Sequence, residues 1–138
     1  MGQKPQPKSL SDMKAVKFSL LIICLLVVFS SCERVAGKGG KAAIHVTTVN
    51  GPLNTSGVSL RMKYGATSFP GENVPYDEDG FTDYAGDYTF NDLKRGDYYI
   101  YGKKITATDT LLGGAHVLIN NKPGETHVVI DFAEEDPF

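Results

Sequence analysis

Beyond residue 42 the chain alternates apolar and polar positions with a period of two. Ile44, Val46 and Thr48 alternate with His45 and Thr47, and Val58, Leu60, Met62 and Tyr64 alternate with Ser59, Arg61 and Lys63. Tyr88 and Phe90 flank Thr89; Val117 with Ile119, then Val128, Ile130 and Phe132, repeat the pattern near the end. Successive side chains of a strand point to opposite faces, so this period marks strands with one buried face. Turn signals separate the runs: Asn50-Gly51-Pro52, Pro70-Gly71, Asp79-Gly80, Arg95-Gly96, Gly113-Gly114 and Pro123-Gly124. No stretch carries a helical amphipathic pattern. The expectation is an all-β fold, a single antiparallel β-sandwich of about seven strands. They are placed over 42–49, 57–64, 73–76, 86–91, 97–104, 114–120 and 126–133.

The pattern before residue 42 is of another kind. Lys14 and Lys17 lead into a predominantly apolar run of 12 residues, Phe18 to Phe29, followed by Ser30, Ser31 and Cys32. A charged segment, an apolar segment and small residues before a cleavage point have the order of a secretory signal peptide. The run is too short for an ordinary transmembrane helix, which needs about 20 residues. With Cys32 directly after the small pair, Val28-Phe29-Ser30-Ser31-Cys32 resembles the lipobox of bacterial lipoproteins. Phe29 stands where Leu is usual, a variation found in Bacteroidetes-like lipoproteins. The resemblance implies cleavage before Cys32 and acylation of its thiol, palmitate included, so that lipid holds the protein on a membrane. Glu33 after the Cys is not the Asp of inner-membrane retention, which points to the outer membrane. Met13 opens a more compact signal and is the expected start.

The chain therefore divides into a signal peptide (1–31), a lipidated flexible tether (32–42), a sandwich domain (43–133) and an acidic tail (134–138). A Gly-rich stretch like 33–42 spans roughly 17–19 Å root-mean-square. Its Gly-Lys pairs do not make a phosphate loop, because Lys41 is followed by Ala42 rather than Ser or Thr. Of the chain's net charge of −2, residues 1–31 contribute +3 (Lys4, Lys8, Lys14 and Lys17 against Asp12), leaving −5 on residues 32–138. An acidic domain argues against nucleic acid as a partner. Cys24 departs with the signal, so Cys32 has no intrachain disulfide partner.

One local pattern is sharper. Leu93, Gly96 and Tyr98 sit in Leu93-Lys94-Arg95-Gly96-Asp97-Tyr98, a turn that opens a Tyr-rich strand. A Tyr at this place can send its hydroxyl back to the backbone a few residues upstream, the tyrosine-corner device of β-sandwiches. The longer stretch Gly86-Asp87-Tyr88-Thr89-Phe90-Asn91-Asp92-Leu93-Lys94-Arg95-Gly96-Asp97-Tyr98-Tyr99-Ile100 resembles a motif of carboxypeptidase-regulatory-like and Cna-B-like domains. Val49-Asn50-Gly51-Pro52 with Val58-Ser59-Leu60 is similar to their first hairpin, with Asn54-Thr55-Ser56 inserted. The resemblance covers residues 43–132 and implies a prealbumin-like (transthyretin-like) sandwich. In those families such a domain is an accessory, spacer, adhesin or stalk module. The motifs encode turns and core positions and so specify fold, not activity.

Candidate chemistry is sparse. Gly-x-Ser-x-Gly and His-Glu-x-x-His are absent from the sequence, and the chain reads as non-enzymatic with no cofactor. His45, His116 and His127 fall on the outward face of strands. If the first and last strands neighbour, His45 and His127 with Asp131 could share zinc. Asp77, Asp79 and Asp83 crowd a segment around Gly80, and carboxylates on a loop suit Ca²⁺, although an EF-hand register fails here. In strand 97–104, Tyr98 and Ile100 share one face, and Tyr99 and Tyr101 share the other. One face must be core, so Tyr99 and Tyr101, with loop 76–84, are the expected contact surface.

These observations converge on a lipid-anchored envelope protein that binds an envelope protein or a glycan, or serves as an accessory structural module. A small-ligand or Ca²⁺-binding module and a pilin-like polymer subunit are the alternatives.

Overall fold

In the computed structural model, which describes residues 2, 3, 35–120 and 123–134, the first alternating run is strand β1, Lys38–Asn50. Ala42, Ile44, Val46 and Thr48 are buried, while His45 and Thr47 look outward. Seven further strands follow: β2 (Leu53–Asn54), β3 (Ser59–Tyr64), β4 (Glu78–Phe81), β5 (Asp87–Leu93), β6 (Gly96–Ile105), β7 (Thr110–Ile119) and β8 (Gly124–Asp131). The expected signal peptide with Met13, the lipidated Cys32 and the tail beyond Glu134 lie outside the described residues, save residues 2 and 3.

The strands form two four-stranded sheets, an all-β sandwich with no helix among the described residues. In the first sheet β1 pairs β5 and, past the end of that ladder, β2; β8 also pairs β1. The second sheet runs β4-β3-β6-β7. All ladders are antiparallel except β1–β8, which is parallel and sets His45 opposite His127. The inward faces meet in one core. Ile44, Val46 and Ile130 come from the first sheet, and Leu60, Met62 and Ile100 from the second. Truncating such a residue to Ala costs about 2–5 kcal/mol.

Strand β5 breaks strict alternation. Asp92 has φ 59°, the one positive-φ residue among the described non-glycines. The register shifts from Ile44↔Phe90 to Ala42↔Leu93, so β5 spends three residues where β1 spends two. This bulge turns Leu93 inward beside Phe90, and both are buried.

Three expectations are corrected. The strand at 73–76 does not form; β4 lies at Glu78–Phe81 and pairs β3 through Leu60↔Gly80 and Arg61↔Asp79. An edge strand needs only one ladder of backbone hydrogen bonds, so acidic side chains can occupy it, and they also deter further pairing. Residues 38–42, expected within the flexible tether, are part of β1. Ala42 is buried, and Gly40 lies so close to Leu93 that a Cβ there would sit 1.9 Å from its carbonyl oxygen. Glycine thus serves close packing here rather than flexibility. Strand β7 also begins at Thr110 rather than 114, along the full length of β6.

The registers give the sandwich two distinct ends. At the entry end β1, β4, β6 and β8 begin and β3, β5 and β7 finish. At the far end lie the loops 51–58, 82–86 and 106–109 and the close of β8. A buried polar knot binds the far loops: the Thr48 hydroxyl donates to Thr55 O at 2.6 Å, and Val58 N donates to the Thr82 hydroxyl at 2.9 Å.

Candidate functional site

At the entry end the chain is clamped as it joins β1. Gly37 N donates to the Tyr98 hydroxyl at 2.9 Å, and that hydroxyl donates to Lys94 O at 2.7 Å. The second bond returns four residues upstream, across the turn that carries Leu93 and Gly96. Gly96 has φ 148° and lies against Ala36, whose backbone N would be 2.8 Å from a Cβ at that position. Beside this corner the Tyr64 hydroxyl donates to Glu78 Oε1 at 2.5 Å, and Lys38 Nζ reaches the same oxygen at 2.9 Å. Tyr64 meets Tyr98 edge-on with ring centroids 5.7 Å apart. Burial, then the Glu78 contact, holds the Tyr64 phenol well above its usual range.

The outward face of β6 is not the contact surface expected. Tyr99 and Tyr101 are 5% and 2% exposed. Segment 65–77 folds over them: Phe69 lies 6.0 Å from Tyr99 and 5.2 Å from Tyr101 between ring centroids, and Tyr76 stacks on Tyr101 at 6.1 Å. The Tyr101 hydroxyl donates to Glu72, which Lys103 Nζ also approaches at 3.4 Å. The Tyr101 hydrogen bond, foremost, lowers the Glu72 carboxyl below its ordinary value. Beside this cover is an open polar recess of about 220 Å³, lined by Ser59, Arg61, Glu72, Asn73, Tyr101 and Lys103. From Tyr98 to Gly102, β6 is therefore buried on both faces, by the core on one side and by an aromatic loop on the other.

The acidic residues do not converge. Asp77 accepts from Tyr64 N at 2.7 Å and pairs with Lys63 at 3.5 Å. Asp79 faces Arg61 across the β3–β4 ladder at 4.0 Å. Asp83 accepts from Ala85 N at 2.9 Å and Asp87 N at 3.0 Å, capping its own turn. Each carboxylate serves a different local partner, and no calcium cage is built from them.

Among the described residues, four of the seven exposed large apolar side chains gather at the far end, while Val35 and Leu118 are exposed at the entry end. Leu53 is 70% exposed, Phe81 68%, Tyr84 101% and Ile105 75%. Phe81 sits opposite Ser59, which is itself opposite Lys103 on β6, and the Lys104 amine donates to Ser56 O at 2.6 Å. The strand ends bearing Leu53, Phe81 and Ile105 and the loop bearing Tyr84 thus belong to one end. Of the expected contact surface, only loop 76–84 supplies accessible aromatics, at Phe81 and Tyr84. The turn expected at Asp79-Gly80 is instead part of β4, and no local pattern groups Phe81 and Tyr84 with Leu53 and Ile105.

The outward face of the first sheet holds a polar cluster. His45 and His127 are direct partners on β1 and β8, with ring centroids 5.0 Å apart. His127 Nε2 lies 3.1 Å from Glu125 Oε1. His45 Nδ1 is 3.0 Å from the Thr89 hydroxyl, and its Nε2 is 3.4 Å from Asp87 Oδ1. His116 belongs to the other sheet and meets Asp97 at 2.8 Å. Asp131, expected beside His127, instead accepts from Gly51 N at 3.0 Å and Ala133 N at 2.9 Å. These two backbone donors, that of Ala133 first, lower its carboxyl from the usual value.

No protein-family model matches the chain, and no curated protein does. Among solved structures, it is similar to a variant of the major pilin subunit of Bacillus cereus. The identity is 13%, with a TM-score of 0.48, over 67% of this chain and 30% of the pilin subunit. It is also similar to a candidate carbohydrate-binding protein of Pseudomonas aeruginosa, at 12% identity and a TM-score of 0.46, over 75% of this chain and 93% of that one.

Proposed function

We propose that the chain is a lipid-anchored, non-enzymatic contact module of the cell envelope. It is held through Cys32 at the outer membrane and meets an envelope protein or a glycan with its far end. The observation that carries this reading is the polarity of the sandwich. The chain enters at Gly37, clamped by Tyr98, while Leu53, Phe81, Tyr84 and Ile105 lie exposed at the opposite end. Gly37 follows Cys32 by five positions, a reach of at most about 18 Å. A lipid on Cys32 therefore keeps the entry end near the headgroups and turns the far end outward. The net charge of −5 on residues 32–138 disfavours lying flat on an anionic surface. Exposed aromatics at a strand end and loop fixed by a buried polar knot offer contact area at little entropic cost.

A photo-crosslinking residue at Tyr84, compared with one at Lys94 at the entry end, tests the reading in cells. Adducts from position 84 that disappear with Phe81→Ala support it. Adducts from position 94 alone, or equal adducts from both, overturn it.

A further inference from the structure

We propose that His45, His127 and Glu125 bind a divalent transition-metal ion, Zn²⁺ foremost, that ties β8 to β1. The parallel register makes the site. His45 stands opposite His127, and Glu125, two residues earlier on β8, projects from the same face. One ligand atom from each of the three lies within 4.8 Å of the others, the one such group among the described residues. Tetrahedral zinc with bonds near 2.0–2.1 Å needs ligand atoms roughly 3.3 Å apart. His127 Nε2 and Glu125 Oε1 already stand at 3.1 Å, the length of such an edge. Only the third vertex has to close. It can do so by side-chain rotation, since His127 and Glu125 are exposed.

His45 is the fixed member. Its Nδ1 faces the Thr89 hydroxyl at 3.0 Å, an outer-shell contact that orients the ring and leaves Nε2 for the ion. Asp87 Oδ1, 3.4 Å from that Nε2, takes a hydrogen bond from the Thr47 hydroxyl at 2.6 Å and adds negative charge beside the site. Two imidazoles and one carboxylate select Zn²⁺, Cu²⁺ or Ni²⁺ over Ca²⁺ or Mg²⁺, which prefer all-oxygen shells. Two of the donors come from β8 and one from β1, so the ion would fasten the last strand to the first.

The test uses the full chain in detergent with Cys24 and Cys32 changed to Ser, so that no thiol competes for metal. Zinc is titrated by calorimetry and its effect on the melting temperature is followed. The expected result is one ion per chain and a rise in melting temperature that Ca²⁺ does not reproduce. His127→Asn abolishes the rise, and Thr89→Val weakens binding about tenfold or more. The ring resonances of His45 and His127 shift with zinc, while those of His116 stay. His127 is exposed, so His127→Asn should melt like the parent without metal, and loss of the zinc response then reports on ligation. Absence of a zinc response in the parent overturns the proposal. So does a response that survives both His127→Asn and Glu125→Gln, or one that moves His116 instead.

Discussion

The Tyr98 hydroxyl accepts the backbone N–H of Gly37 at 2.9 Å, across 61 positions of sequence. The same oxygen donates to Lys94 O at 2.7 Å, so one buried side chain ties the entering segment to the turn before β6. Tyr98→Phe leaves a donor and an acceptor without this partner and should cost about 1–3 kcal/mol. Tyr98→Ala also opens a cavity and should cost about 3–5 kcal/mol. Urea midpoints measure both. The Gly37 amide should exchange faster in Tyr98→Phe, and unchanged exchange would show that something else holds the entry segment.

Tyr99 lies over Gly114 on the neighbouring strand. A Cβ at residue 114 would stand 2.4 Å from the Tyr99 hydroxyl oxygen and 2.8 Å from the ring. Gly114→Ala should therefore destabilise by about 1–3 kcal/mol through overpacking. Adding Tyr99→Phe removes the nearest atom and should restore part of that loss. Simple additivity of the two changes in thermal melting would contradict the contact.

Stability should fall at both extremes of pH. Burial, the leading cause in each case, raises the phenols of Tyr64, Tyr76, Tyr98, Tyr99 and Tyr101 above their ordinary value of 10.0. Below that value both states keep the proton and the stabilising contribution is complete. Above it the unfolded chain releases protons that the folded chain retains, so stability declines as pH climbs past about 10. On the acid side Glu72 and Asp131 are lowered from 4.5 and 3.8 in the folded protein. Their contribution is complete above those values and is lost as pH drops through the folded ones. Denaturant midpoints across the pH range check both limbs. Tyr101→Phe should soften the alkaline fall, and Glu72→Gln should soften the acid one.

Most of the sandwich was legible because β1, β3, β6, β7 and β8 carry a period-two pattern with turn residues between them. The sequence could not place the edge strand β4, because pairing there is by backbone, and its acids read as a loop. Residues 38–42 have a tether's composition, and only the approach of Gly40 to Leu93 shows why glycine is needed. Tyr99 and Tyr101 were readable as one face of a strand, but the loop that covers them has no periodicity to announce it. The pairing of His45 with His127 was visible only as a neighbourhood of first and last strands. Its parallel register, which brings in Glu125 rather than Asp131, comes from tertiary packing. The grouping of Leu53, Phe81, Tyr84 and Ile105 depends on which strand ends meet, and no local pattern encodes that.

The proposed orientation of the domain depends on Cys32. Cells carrying a tagged copy are fractionated and treated with protease, intact and after the outer membrane is broken, beside a Cys32→Ala control. The parent should sediment with outer membranes, and Cys32→Ala should be released from them. Digestion in intact cells would direct the far end toward partners outside the cell; protection would direct it toward periplasmic ones. A Cys32→Ala protein that remains with membranes as the parent does would contradict the lipid anchor, and with it the orientation proposed for the far end.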